Sequence, residues 1–203
     1  MKALALLLAV VAAAGVAHSA RADGDPASDY LLGAKVFLPY DAKFPARQSA
    51  QLTGLIAAAN QAGFKIRVAV IWSNYDMGSV TSLWRKPRTY AKFLGLELGF
   101  VYKQRLLIVM PSGFGFNWPR HSPVSEYSLL SKIRIPPGAT GLLAAATAAV
   151  TRLAAADGVD IAAPAHVTTP AQRNTHDREI ILVVVLGALA LAAVARYLIR
   201  RSR

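Results

Sequence analysis

The sequence predicts an α/β fold, a small mixed β-sheet flanked by helices, with one C-terminal transmembrane helix. Three observations predict it. Helical periodicity alternates with short β-branched runs between residues 46 and 156. A Pro-Ser-Gly turn joins two apolar runs within 106–118. Residues 180–199, IILVVVLGALALAAVARYLI, carry a single charge. Helix–strand–helix–hairpin–helix is the order expected of one sheet with helices packed on its faces.

The chain starts with Met1-Lys2, an apolar run at 3–17 and Ala20-Arg21-Ala22, the pattern of a secretory signal at 1–22 cleaved after Ala22. The other reading, an uncleaved second anchor, puts residues 23–179 on the same outer side. Residues 23–30, DGDPASDY, read as the exposed lead-in of an extracytoplasmic domain at 23–158. AKVFL at 34–38 reads as an edge strand and Pro39-Tyr40-Asp41 as a turn. Leu52, Leu55, Ile56 and Ala59 recur at helical spacing within 46–62, and Gly63 ends that helix. KIRVAVI at 65–71 is a β-branched strand entering a buried sheet. A second helical stretch at 79–98 is interrupted by Pro87, which predicts a kink or two short helices. LLIVM at 106–110 is a buried strand, and the alternation at 114–118 makes its hairpin partner. Residues 119–135, with two prolines, read as a long irregular loop, and 139–156 as a helix. Residues 159–179 read as a linker and 200–203 as a cytoplasmic basic tail.

Sidedness follows from charge. Asp177-Arg178-Glu179 precedes the apolar run, whereas Arg196, Arg200, Arg201 and Arg203 close it, which places the C-terminus in the cytoplasm. Twenty residues span about 30 Å as a helix, the depth of a bilayer's hydrocarbon core. The expected location is therefore a cell membrane, crossed once, with most of the chain outside.

The net charge of the 203 residues is +12, and the stretch 23–179 holds about half of it. A mildly basic outward surface suits anionic lipid or envelope polymer and leaves nucleic acid out of the expected partners. Cysteine is absent, so the core holds without disulfides and thiolate chemistry is excluded. His18, His121, His166 and His176 show no zinc-site spacing, and neither a G-x-S-x-G elbow nor a phosphate-binding P-loop occurs.

Four groups of residues invite a functional reading. Ser73, Asn74, Tyr75 and Asp76 follow a central strand, where open α/β sheets bind ligands; the plainer reading is a turn in which Asp76 or Ser79 caps the next helix. Arg85, Lys86, Arg88 and Lys92, with Trp84 and Tyr90 between them, form the densest cationic run and suit an anionic surface, or else a solvated helix face. Phe114, Phe116 and Trp118 alternate on one strand face, as core or as an aromatic ledge. Gly138-Ala139-Thr140-Gly141 opens a helix whose free N–H groups could hold an anion or simply start the helix.

The pieces at 46–63, 65–71 and 106–110, the step Gly113-Phe114-Gly115-Phe116 and the helix at 139–156 together resemble the TPM-domain family of exported, membrane-tethered proteins. The likeness covers about 33–157 and extends to the flanking signal and C-terminal helix. It implies a TPM-like fold and, through the family's acidic residues, a metal site or weak phosphatase activity. Here Asn117 follows the glycine step, and Asp41 is the single acid between Leu31 and Ile71. The expected function is a membrane-anchored extracytoplasmic binding or scaffolding module of the cell envelope, without a cofactor. The alternative is a divalent-metal-dependent phosphatase-like hydrolase using Asp41 or Asp76, with Glu97 or Glu126 as a partner carboxylate.

Overall fold

The computed structural model of the protein describes residues 24–161. The expected signal peptide, the linker past Ile161, the transmembrane helix at 180–199 and the basic tail lie outside the described residues.

The described residues build a four-stranded sheet in the order β1 (Val36–Phe37), β2 (Ile66–Val70), β3 (Arg105–Met110), β4 (Gly113–Asn117). The first three strands are parallel, and β4 returns antiparallel to β3. Helix α1 (Pro26–Gly33) precedes β1, α2 (Ala46–Gln61) leads from β1 to β2, and α3 (Pro87–Glu97) leads from β2 to β3. Helices α4 (Val124–Leu130) and α5 (Gly138–Ala156) follow β4. This is the mixed sheet with flanking helices that the residue pattern predicts.

Alternation along the strands divides the core in two. Val68, Val70, Leu107, Val109, Phe114 and Phe116 face α2 and α5, meeting Leu52, Leu55, Ile56, Leu142 and Val150. Ala69, Ile71, Leu106, Ile108 and Met110 face α1 and α3, meeting Leu31, Tyr90 and Leu94. Both crossovers step in the same direction across the sheet, yet α2 and α3 lie on opposite faces. They are therefore of opposite hand, so one of them is the left-handed kind that parallel crossovers rarely adopt.

Side-chain amides and caps fix the joints. Asn60, buried near the end of α2, donates from Nδ2 to the carbonyls of Ile56 and Ile66, each at 2.8 Å. Its Oδ1 accepts from the Ile66 N–H at 3.3 Å, which ties the helix end to the start of β2. The 79–98 stretch resolves into a 3-10 segment, Asn74–Leu83, and the separate helix α3 that begins at Pro87. Phe114 and Phe116 pack in the core, and Trp118 lies half-buried against it, so these aromatics serve packing. Helix α5 is apolar and long enough to cross a membrane by length and composition alone, but here half of it is buried against the sheet and α2.

Two readings of the sequence are corrected. Within the expected exposed lead-in at 23–30, the described residues 24–30 are not an exposed lead-in: Asp25 caps α1 by accepting the Ala27 N–H at 3.2 Å, and Ala27 and Leu31 are fully buried. Residues 119–135 are not wholly irregular, because α4 forms there and drives Leu130 into the core. The core also continues to Ile161.

Candidate functional site

Parallel strands give the sheet two unlike ends. The carboxyl end gathers the loops after β1 and β2 and the β3–β4 turn, the usual ligand end of an open α/β sheet. Asp76 stands there, nearly buried. Its Oδ2 accepts the N–H groups of Trp72 at 2.8 Å and Ser73 at 2.6 Å, so the carboxylate turns the chain out of β2 into the 3-10 segment. Ser73 is half-buried, whereas Asn74 and Tyr75 are exposed. These four residues form the turn that the capping reading describes.

Downstream, Gly78 adopts a φ of 53°, and a Cβ there would collide with the Gly24 carbonyl oxygen. That close approach holds the segment before α1 against the 3-10 turn. Arg85 then takes a left-handed φ of 62° and Lys86 donates to the Ser82 carbonyl at 3.1 Å, bringing the chain round to Pro87, the first residue of α3. Helix α3 lies close on β4 because Gly115 has no side chain: a Cβ at that position would collide with the Pro87 carbonyl.

Where α3 begins, an open cleft of about 590 Å³ runs between it, the β3–β4 turn and α4. Lys86, Arg88 and Thr89 line one wall, Ser112 and Gly113 the second, and Tyr127 and Ser131 the third, over a floor that includes Phe114, Leu130 and Ile133. No carboxylate lines it. Tyr127 is pinned through its hydroxyl, which accepts the Phe116 N–H at 3.0 Å and donates to the Phe116 carbonyl at 3.1 Å. The Arg88 guanidinium lies 4.3 Å from the centre of the Tyr127 ring, a cation–π contact that pre-positions the charge beside the cleft. Of the cationic run read in the sequence, the fold brings Lys86 and Arg88 to the cleft and leaves Arg85 and Lys92 exposed nearby.

Asp41 is exposed in the 3-10 turn Tyr40–Ala42. It and Asp76 follow neighbouring strands, but among the described residues no group of three His, Cys, Asp or Glu side chains gathers as a metal site. Glu97 is exposed near the end of α3, and Glu126 lies at the far end of the sheet with Arg105 and Asp157. Asp76 spends Oδ2 on two backbone N–H groups, and the turn out of β2 accounts for its place in the fold.

Two functional-looking groups escape sequence reading. The first is the buried Asp25, whose carboxylate oxygens accept the Tyr90 hydroxyl at 2.7 and 2.8 Å. Burial pushes its pKa up to about 6, against the pull of the Tyr90 and Ala27 hydrogen bonds. Burial likewise pushes the Tyr90 hydroxyl up, reinforced by the Asp25 charge. The signal was present in Asp25-Pro26, a cap residue followed by proline at the first helical position. The second is Arg105, 8 % exposed at the amino end of β3. It lies 4.5 Å from the centre of the Phe64 ring and 3.9 Å from that of Trp118, and donates to Asp157 at 2.7 Å. Its partners come from three other parts of the chain, and no local pattern announces them.

No protein-family model, no curated protein and no solved structure matches the chain.

Proposed function

We propose that the chain is an extracytoplasmic binding or scaffolding module of the cell envelope, tethered by the apolar segment 180–199, and that it acts by holding an anionic envelope component in the cleft beside α3. One observation carries the reading: Arg88, set over a pinned tyrosine, and Lys86 line a cleft that contains no carboxylate. Hydroxyls of Thr89 and Ser112 add donors, and the apolar floor suits a ligand with a non-polar body between its charges. The TPM resemblance supports an envelope role, since that family is exported and tethered. It is carried by the element order and by the Gly113-Phe114-Gly115-Phe116 step, whose phenylalanines face α2 and α5 while Gly115 makes room for α3.

The test is titration of the full chain in detergent with an oligo(glycerol phosphate) and with oligoglutamate as probes. Binding to either is expected, with K86E/R88E weakening it about tenfold or more. Failure to bind both probes, or equal binding by the variant, overturns the reading.

A further inference from the structure

The end of the sheet opposite the cleft carries exposed apolar side chains among cations. Phe100 is 96 % exposed and Val101 61 %. Both sit in the connection from α3 to β3. Leu32, half exposed in the last turn of α1, belongs to the same end, because α1 packs against the 3-10 turn Leu98–Phe100. Large apolar groups left in water together mark an interaction surface.

The cations arrive by topology. Lys35 directly precedes β1, Lys65 directly precedes β2, and Lys103 stands just before β3. Strand β4 runs the other way, so Arg120, which follows it, reaches the same end. All four are exposed. The acids of this end are Asp157, held by Arg105, Asp160, Glu126 beside that pair, and Glu97 at the end of α3. The described residues also end here, since Asp157 sits against the first residue of β3 and Ile161 packs just beyond it. The apolar run begins at residue 180.

We propose that this amino end of the sheet rests on an anionic lipid surface, with Phe100 and Val101 entering the headgroup region and Lys35, Lys65, Lys103 and Arg120 facing lipid phosphates. The proposal rests on the reading of residues 180–199 as a membrane anchor. Cations at this end also meet the negative ends of α2, α3 and α5, but that role leaves the bare Phe100 without a purpose. In this orientation β3, six residues long, holds the cleft roughly 20 Å further from the lipid, facing outward.

The chain has no cysteine, so one introduced thiol reports one position. The full chain is reconstituted into vesicles of phosphatidylglycerol and phosphatidylcholine. An environment-sensitive dye at Phe100→Cys is expected to shift to the blue and to be quenched several-fold more by nitroxide-bearing lipids than the same dye at Ser112→Cys on the cleft. A dye at Ala188→Cys reports the anchor. Quenching at 188 without quenching at 100 overturns the surface contact and leaves the anchor standing. No quenching at 188 removes the anchor and this proposal with it. K103E/R120E is expected to lower quenching at position 100 by about half in the anionic vesicles. If it changes thermal stability and leaves the quenching untouched, the cations serve the helix ends alone and the lipid contact is overturned.

Discussion

Of the arginines that lie over aromatic rings, two, one toward each end of the sheet, do opposite things. Arg105 is buried between Phe64 and Trp118, with Asp157 as its counter-ion. Arg88 is exposed over Tyr127, and among the described residues no carboxylate pairs with it. The same side chain and the same kind of contact make a structural clamp at the amino end and a held but available charge at the carboxyl end. What separates them is burial together with a charge partner, since a guanidinium with both its stacking and its carboxylate satisfied has little left to offer a ligand.

That contrast can be broken in graded ways. The largest effect is expected from Gly115→Val, which forces α3 off β4 and carries Arg88 with it. Chemical denaturation should show a loss of about 3 kcal/mol, together with loss of probe binding at the cleft. Arg105→Ala should cost about 2 kcal/mol by removing packing from Phe64 and Trp118, while binding to the oligo(glycerol phosphate) stays within about twofold of the parent. A binding loss as large as that of an Arg88 variant would erase the distinction between the two arginines.

Acidity probes the carboxyl end from beneath α3. Asp25 has a folded-state pKa of about 6, above its ordinary 3.8, so the folded protein binds the proton more tightly than the unfolded chain does. Stability from this group is therefore gained as pH falls through 6 and is complete below the unfolded value. Between pH 7 and pH 4 the gain is about 2 kcal/mol, read as a rise in the denaturation midpoint relative to Asp25→Asn, which keeps the cap and lacks the titration. Asp29 and Glu97 are the other charges felt by Asp25, and neither should reproduce the effect when neutralised. The smallest effect on the fold is expected from Arg88→Ala, within about 0.5 kcal/mol of the parent, with the cleft's affinity for the anionic probe falling nonetheless.

Much of the fold was legible in the residues. The β-branched runs became β2 and β3, the helical spacing of Leu52, Leu55, Ile56 and Ala59 became α2, and Pro87 did separate two segments. What escaped had weak periodicity or distant partners. Helix α1 hides in a polar stretch because just Ala27 and Leu31 turn inward. Helix α4 is seven residues long between prolines and loops. The cationic run was visible, but its cleft was not, because Ser112, Tyr127 and Ser131 come from segments that only the folded chain brings beside Lys86 and Arg88. The four cations of the amino end are scattered through the sequence and become neighbours only once the strand directions are known.

The late position of α5 in the chain bears on the order of assembly. Each side of the sheet is roofed by one helix from the early part of the chain and another from later in it, and α5, the last helix among the described residues, closes the side begun by α2. A polypeptide emerging amino-terminus first therefore leaves Leu107 and Val109 bare until residue 156 has cleared. The core on that side is whole once the far end of α5 is in place.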